Sequence, residues 1–293
     1  MGIVHISRPS EAGPDRREDI PSHDVFREDA ISGLLEFMYE SLGDGLVSPG
    51  NGRLELTDQP KSVAQGVARR NREPVIPGSG IKGAVRGRYE LLSQSCITFA
   101  GKSCRGQYCE ACGLFGTMGV QGRVSFTDAV PKGEISRIVS QVPMPWSHSD
   151  MQKQKAFRLY DSRPANYPTP RGQPVKMLTR VFYRGSFCGT MQLRNVLPEE
   201  LGRLLLVMGF DKSLNMVAPL RLGGAKYDGH GAMRLVPHTL RTLGHQREFL
   251  GQTECRERCR SWIISAMGTA WHHQFKQTLE IVNQLTSHQG SAP

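Results

Sequence analysis

The chain has 293 residues, which is long enough for one large domain or two small ones and for a core that needs no disulfides. Lysine plus arginine exceeds aspartate plus glutamate by 37 − 27 = 10, which indicates an anionic partner rather than a particular fold. No apolar segment has the length of a signal-peptide core or of a membrane span, so we expect a cytoplasmic protein with no membrane partner.

The first part of the chain predicts a polar arm, a strand and a helix. Residues 1–28 are rich in Pro, Asp, Glu and Arg, which is typical of an arm ordered only by a partner. ISGLLEFMY, residues 31–39, predicts a strand that ends at a glycine-rich turn. After Pro77, apolar residues recur at three- and four-residue intervals and predict a helix: Ile81, Val85, Tyr89 and Leu92.

The second part continues with strands, an irregular excursion and helices. GRVSFTDAV predicts a strand, and residues 143–174 hold six prolines, too many for an internal strand or helix. TRVFYRGSFCGTMQLRNV predicts a strand or hairpin, and a helix begins at Pro198. Helical spacing returns from 253 to 287. The order strand, helix, strand, strand, helix, strand predicts an α+β, ferredoxin-like unit with large insertions.

Four cysteines lie within seventeen residues, CITFAGKSCRGQYCEAC, and end in a CxxC pair: Cys96, Cys104, Cys109 and Cys112. A thiolate pair two residues apart can close on one tetrahedral cation while the other two return from a short loop. The spacing therefore predicts a structural zinc site. Catalytic zinc is not indicated, because an open coordination position normally leaves three protein ligands.

Other interpretations of the cysteines remain open from the sequence. Two disulfides would require an oxidising compartment, and no secretion signal is present. An iron–sulfur cluster also uses four thiolates, but the spacing matches neither common ferredoxin pattern. Four unliganded cysteines are the remaining alternative.

Positive charge is concentrated before and within the first helix. Between residues 61 and 88 there are seven basic residues and one acid, Glu73; the basic ones are Lys61, Arg69, Arg70, Arg72, Lys82, Arg86 and Arg88. The run flanks a GxGxxG segment, residues 78–83, at the start of the helix, where backbone N–H groups and the helix dipole favour phosphate. A solvated helix face is the alternative for the charges. A dinucleotide site is the alternative for the glycines, although no acidic residue follows about twenty positions on.

Four motifs in one order resemble the backbone RAMP subunits of type III CRISPR effector complexes, especially the III-D and III-E kinds: PVIPGSGIKGAVRGRYELL, CGLFG, GRVSFTDA and LRLGGAKYDGHGAM. The resemblance covers about residues 31–236. It implies a modified, RNA-recognition-motif-like fold that polymerises along a guide RNA. It also implies an extended thumb hairpin at about 143–176 and a zinc-binding insert at about 96–122, within a core of residues 29–236 followed by a helical segment, 237–293.

The resemblance also implies roles for individual residues. The segment that touches guide phosphates corresponds to Ser79, Gly80, Lys82 and Arg86, and the late glycine-rich loop to Gly223, Gly224 and Lys226. In the thumb, Trp146 is a candidate to wedge against bases, or else to pack the hairpin on its own subunit. The implied partners are guide RNA, target RNA, further copies of the chain and other effector subunits, in a ribonucleoprotein of antiviral defence.

Target cleavage is the point where the sequence departs from the family. RNA-slicing members place an aspartate on the loop before the first helix, where this chain has Ser62 and Val63. Asp58 is the nearest preceding carboxylate and the one weak candidate. We expect a subunit that binds RNA without cutting it and leaves cleavage to a separate nuclease. A slicing endoribonuclease, a pre-CRISPR RNA processing enzyme, a free-standing RNA-binding module and a GxGxxG oxidoreductase remain as alternatives.

Overall fold

The fold is built on an antiparallel sheet that buries one face under helices. The computed structural model describes residues 2–4, 16–17, 23–42, 46–50, 54–57, 63–93, 95–96, 104, 108–144, 157–159, 176–244 and 247–287. The helices are α1 (Gly78–Leu92), α2 (Glu110–Phe115), α3 (Pro198–Met208), α4 (Gln252–Met267) and α5 (Ala270–Ser287). The strands are β1 (Gly2–Val4), β2 (Arg16–Arg17), β3 (Ile31–Ser41), β4 (Leu54–Leu56), β5 (Val63–Gln65), β6 (Arg69–Arg70), β7 (Glu73–Pro74), β8 (Tyr108–Cys109), β9 (Val124–Phe126), β10 (Val130–Pro131), β11 (Ser136–Pro143), β12 (Phe157–Leu159), β13 (Met177–Arg184), β14 (Ser186–Val196), β15 (Leu220–Arg221), β16 (Ala232–Thr242) and β17 (Phe249–Leu250).

The central sheet has the ferredoxin-like strand order. β14 lies between β3 on one side and β9 and β10 on the other, and β16 pairs with the far edge of β3, each pair antiparallel. Taken with α1 and α3, the chain order is β3, α1, β9, β14, α3, β16. The predicted α+β, ferredoxin-like class is therefore confirmed.

Alternation along β3 shows why this sheet forms. Leu35, Phe37 and Tyr39 are fully buried, while the residues between them are partly exposed. Their side chains share one core with Val85 and Tyr89 of α1, because every second strand residue and every third or fourth helix residue faces the same layer.

A second sheet, in the order β11, β13, β5, β4, adjoins the first. β13 and β14 are nearly continuous in sequence, but the chain bends at Gly185, whose φ is +144°. The run 179–196, predicted as one strand or a hairpin, is thus divided between two sheets. Glycine is required there because a Cβ would lie 2.7 Å from the side chain of Ile135.

The base of the predicted thumb lies in the second sheet. β11 and β13 pair along their whole length, and the N–H of Met144 donates to the carbonyl of Lys176 at 2.7 Å. The chain between these two residues therefore leaves and returns at one point. β12, within this excursion, pairs with β1 near the N-terminus. Trp146 lies outside the described residues.

Residues 25–27 and helix α4, which lie toward opposite ends of the described chain, both contact the core. The backbone of Val25 and Arg27 is bound by the Asn195 side chain, at 2.7 and 3.0 Å, and the guanidinium of Arg194 lies 3.9 Å from the centre of the Phe26 ring. Residues of the predicted arm are thus held by their own chain. At the other end, α4 packs on α3 through Gly202, where a Cβ would lie 2.0 Å from the carbonyl oxygen of Trp262.

Among the helices that the structure describes, none is both long and apolar enough to cross a membrane.

Candidate functional site

The start of α1 is fixed by the segment after β9. The N–H of Gly78 donates to the carboxylate of Asp128 at 2.9 Å, and a Cβ on Gly78 would lie 2.1 Å from the carbonyl oxygen of Phe126. The N–H groups of Gly80 and Ile81 donate to the Pro77 carbonyl. A carboxylate therefore occupies the end of the helix where the GxGxxG interpretation places a pyrophosphate.

The remaining glycines of α1 lie on open surface. A Cβ on Gly80, Gly83 or Gly87 would have no heavy atom within 4 Å. Each glycine in a helix interior costs about 1 kcal/mol relative to alanine. Contacts of the described residues thus explain why position 78 is glycine, but they do not explain the other three glycines. These three recur at helical spacing, and the neighbouring Ser79 is exposed.

Folding divides the basic run into internal and outward groups. Arg69 pairs with Glu55 at 2.9 Å, and Arg88 donates to the carbonyl of Ala218 at 2.8 Å. Burial lowers the pKa of Arg88 to about 10. Arg70 and Arg72, at the tip of the β6–β7 hairpin, are exposed.

Lys82 and Arg86 lie one helical turn apart but have different surroundings. Lys82 is half-buried, and its pKa is lowered by burial and then by the charge of Arg86. Arg86 points inward: it donates to Glu90 and to the carbonyl of Gly116, both at 2.7 Å. Of the two predicted phosphate-binding cations, Arg86 forms an ion pair with Glu90, whereas Lys82 forms none with the described residues.

The late glycine-rich loop packs on the second sheet. Gly223 has a φ of +79°, and a Cβ there would lie 2.5 Å from the carbonyl oxygen of Ser48. A Cβ on Gly224 would lie 2.2 Å from Nη1 of Arg180. Backbone contact and a positive φ therefore require glycine at 223, whereas the neighbour of Gly224 is the end of an arginine side chain.

The four clustered cysteines converge as the CxxC spacing predicts. Their sulfur atoms all lie within 4.8 Å of one another, with Cys96 Sγ 3.3 Å from Cys112 Sγ and 3.6 Å from Cys109 Sγ. Four thiolates at about 2.3 Å from a tetrahedral zinc ion are separated by about 3.8 Å, so the geometry fits zinc. Every one of them is a free thiol, so the disulfide alternative is not realised.

Hydrogen bonds around the cluster suit a negatively charged metal centre. The N–H of Cys96 donates to Cys109 Sγ at 3.5 Å, and the N–H of Cys109 donates to Cys104 Sγ at 3.4 Å. Nη2 of Arg86 lies 3.8 Å from Cys112 Sγ. Hydrogen bonds from the thiols of Cys112 and then Cys96 lower the pKa of Cys109, and the same hydrogen bonds raise the pKa of Cys96 and Cys112. A bound zinc ion here would stabilise the fold without an open position for catalysis.

The cysteine-bearing insert is tied to both core helices. Arg203 of α3 forms an ion pair with Glu110 of α2, and Arg86 of α1 reaches Gly116 at the end of α2. The cysteine cluster and the middle of α1 are therefore connected through Arg86.

The sequence pattern of the RAMP superfamily matches residues 62–234, more than half of the chain. The chain belongs to the RAMP superfamily. Among solved structures, it is similar to the cryo-EM structure of a Type III-B Cmr-beta complex bound to cognate target RNA, with 14% identity and a TM-score of 0.37. The match covers 73% of this chain and 61% of that one, so it spans less than two thirds of the solved chain. No curated protein sequence matches the chain.

The RAMP core brings some predicted site residues together and leaves others apart. Ser79, Gly80 and Lys82 share the first turns of α1, whereas Gly223, Gly224 and Lys226 lie beside the second sheet. The one weak catalytic candidate, Asp58, lies outside the described residues. The roles of the α1 and glycine-loop residues in RNA binding remain predictions.

Two residues of this RAMP core have roles that the sequence analysis did not assign. Asp128 lies within the motif GRVSFTDA, yet nothing in its pattern indicates that its carboxylate binds the Gly78 N–H fifty residues earlier. Arg180 is buried in β13, where residues 180–183 are all buried in succession, and its charge alone would have predicted an exposed position.

Proposed function

We propose that this RAMP protein is a CRISPR RNA-binding backbone subunit that polymerises along a guide RNA and presents it for pairing with target RNA. The observation that carries the proposal is the open face of α1, where Gly80, Gly83 and Gly87 have no neighbour that requires a glycine and Lys82 supplies a positive charge. A ribose-phosphate chain can approach a glycine face closely, and its phosphates are attracted to the lysine.

The net charge and the outward residues of β3 support the same function. The net charge of +10 suits a polyanion, and Arg70 and Arg72 add exposed cations near the start of α1. The outward positions of β3 are Leu34, Glu36, Met38 and Glu40. Because these include two acids and no aromatic ring, base stacking on the sheet face is disfavoured, and backbone contacts at the helix side are favoured.

The oxidoreductase alternative is disfavoured by the topology. Neighbouring strands of the central sheet are antiparallel, whereas a dinucleotide fold requires a parallel βαβ unit. Asp128 also places a negative charge at the N-terminus of α1. Saturable binding of NAD(H) in a fluorescence titration would contradict this conclusion.

An alanine substitution on the open helix face separates RNA contact from folding. Gly83→Ala is expected to raise the free energy of unfolding by up to about 1 kcal/mol, since the site has space and alanine favours helix. The same substitution is expected to weaken binding of single-stranded RNA, because the methyl group holds the backbone of RNA away. Lys82→Glu is expected to weaken binding by about tenfold or more.

The matched control for Lys82→Glu is Lys212→Glu, at an exposed position after α3. Both variants change the net charge equally, so only a local contact makes Lys82→Glu the weaker binder in fluorescence anisotropy. Equal affinities for the two variants, or unchanged affinity of Gly83→Ala, would overturn the assignment of this face to RNA.

We further propose that the subunit does not cut target RNA and that a separate nuclease acts with it. The supporting observation is the absence of a carboxylate at the position where slicing members carry their aspartate. When the assembled complex is incubated with matched target RNA and magnesium, the target RNA should remain intact. Regularly spaced cuts that disappear in Asp58→Ala would identify a slicing subunit instead.

A further inference from the structure

Short contacts hold the N-terminal arm against three separate parts of the fold. β1 pairs antiparallel with β12, within the excursion from 144 to 176, and it also contacts α5. β2 pairs antiparallel with β8 of the cysteine insert. Farther along, the backbone of Val25 and Arg27 is bound by the Asn195 side chain of β14. The arm therefore connects the excursion, the cysteine insert and the central sheet.

The arm meets the cysteine cluster at β8. Arg16 lies opposite Cys109 in the strand pair, and Arg17 lies opposite Tyr108. The N–H of Cys109 donates to Cys104 Sγ at 3.4 Å, and the buried Cys109 Sγ lies 3.6 Å from Cys96 Sγ. Cys109 thus belongs both to the sulfur cluster and to the strand pair that holds the arm.

The pair of β2 and β8 is too short to fix its own position. Each strand has two residues, and even a longer isolated pair of strands is marginally stable in water. The position of β8 is therefore set by what is attached to it. α2, which carries Cys112, begins directly after β8, and the sulfur atom of Cys109 lies within the cluster.

A metal ion changes how firmly the cluster holds β8. As thiolates, four sulfur atoms within 4.8 Å of one another would repel, and as neutral thiols they form only weak hydrogen bonds. One ion at their centre bonds all four sulfurs at once, and such binding is coupled to folding of the surrounding segment. The edge of β8 with which the arm pairs is therefore expected to form fully only with the metal bound.

We propose that metal binding by the cysteine cluster docks the N-terminal arm on β8, and that the docked arm holds β12 of the excursion through β1. Loss of the metal releases β2, and β1 then loses the connection that keeps it close to β12. Coupling of this kind is reciprocal, so the docked arm also strengthens metal binding. The device acts within one chain and does not depend on the proposed RNA-binding function.

Limited trypsin digestion of the full chain reports whether the arm is docked. Trypsin cleaves after arginine, and a bond within a paired strand is protected, whereas the same bond in a released segment is accessible. The bonds after Arg16 and Arg17 should be cleaved at least about fivefold faster in chelator-treated protein than in zinc-loaded protein, below the melting temperature of both. Mass spectrometry locates the cuts. Cys188→Ser, outside the cluster, should be cleaved at the wild-type rate.

A proline in β2 tests the reverse direction without changing any metal ligand. Arg17→Pro removes a backbone N–H and disfavours strand pairing. The matched control is Arg70→Pro in β6, which is also a two-residue Arg-Arg strand but pairs with β7 instead of the cysteine insert. In competition with a zinc-binding dye, Arg17→Pro should bind zinc at least about fivefold more weakly than the wild type. Arg70→Pro should bind zinc with the wild-type affinity.

Hydrogen exchange measured by mass spectrometry tests the far end of the arm. Peptides that cover residues 157–159 should exchange faster in Arg17→Pro, and in zinc-free protein, than in the zinc-loaded wild type, because β1 is their strand partner. Peptides from β13 are the internal standard. They should exchange at the wild-type rate in Arg17→Pro, because β13 pairs with β11 and β5.

Four results would overturn the proposal in whole or in part. Equal cleavage after Arg17 with and without zinc, or equal zinc affinities of Arg17→Pro and Arg70→Pro, would contradict metal-dependent docking. Cleavage after Arg180 as fast as after Arg17 would show that zinc removal unfolds the whole chain instead of releasing the arm. Release of the arm with unchanged exchange at 157–159 would remove the connection to the excursion. None of these results bears on RNA affinity, so the proposed function is tested separately.

Discussion

At the residue scale, the same amino acid serves opposite purposes within a few positions. Gly78 is required because Phe126 approaches its backbone, while Gly83, in the same helix, has open space around it. The Arg86 guanidinium donates hydrogen bonds to Glu90 and to the carbonyl of Gly116, whereas Lys82, one turn earlier, forms no ion pair with the described residues. The two glycines are the same residue type and the two cations carry the same charge, so the neighbours decide the role in each case.

The ion pair between Arg123 and Glu200 gives a test at this scale. The two side chains are joined by two hydrogen bonds of 2.7 Å and are 3% and 2% exposed. We expect Glu200→Gln to lower the free energy of unfolding by about 3–5 kcal/mol, because it leaves Arg123 buried without its charge partner. Urea denaturation measures the loss.

The exposed pair of Arg258 and Glu248, 3.3 Å apart, is the control. Glu248→Gln should change stability by less than about 1 kcal/mol, since solvent screens an exposed pair. Comparable losses in the two variants would contradict the structural role assigned to Arg123 and Glu200.

At the scale of elements, packing between helices and the cysteine insert holds the RAMP core together. α3 and α4 meet where Gly202 lets the backbone of Trp262 come close, and α2 is joined to α1 and α3 by Arg86 and Arg203. These contacts join segments that are between about thirty and ninety residues apart in the chain.

The α3–α4 contact predicts the effect of one methyl group. Gly202→Ala should lower the free energy of unfolding by about 1–3 kcal/mol, because the added Cβ would lie 2.0 Å from a backbone oxygen that cannot rotate away. Gly87→Ala, on open helix surface, should instead raise it by up to about 1 kcal/mol. Urea denaturation of both variants measures the two free energies of unfolding. A Gly202→Ala protein as stable as the wild type would contradict the close approach of the helices.

Metal removal tests the cysteine insert. We expect about one zinc ion per chain by elemental analysis, since the four sulfurs complete one tetrahedron. Cys112→Ser, or a strong chelator, should abolish zinc binding and lower the melting temperature, because metal binding here is coupled to folding.

Cys188→Ser is the control for the loss of a thiol, because Cys188 is a partly exposed thiol on β14 outside the cluster. It should retain full zinc content and melt close to the wild type. Zinc-free protein with the wild-type melting temperature would identify the four residues as unliganded core cysteines, and a visible absorption band with bound iron would identify an iron–sulfur centre.

At the scale of the whole molecule, the fold separates the two glycine-rich segments for which the sequence predicts RNA contacts. The open face of α1 belongs to the helical layer, and the glycine-rich loop belongs to the second sheet, which also contains the base of the excursion from 144 to 176.

Assembly on RNA of increasing length tests the backbone role. A backbone subunit should form complexes whose mass rises in regular steps with RNA length, as measured by mass photometry. A protein that saturates at one site size on every RNA would be a free-standing RNA-binding module. Lys82→Glu should weaken every step, since each copy would use the same contact.

The sequence by itself determined the classes of element and located the cysteine cluster. Periodicity located β3, α1, α3 and the C-terminal helices, because the alternation of apolar residues depends only on neighbours along the chain. The CxxC spacing of Cys109 and Cys112 likewise predicts that their two sulfur atoms lie close together, because only two residues separate them.

Only the tertiary structure decided which charges and glycines remain available. Arg69, Arg86 and Arg88 are bonded to groups between 4 and 130 residues away, and Gly223 is explained by the backbone of Ser48. The physical reason is that hydrogen bonds and packing contacts form between segments that are distant in the sequence. A basic or glycine-rich run therefore does not show which of its residues will be buried or paired in the folded protein.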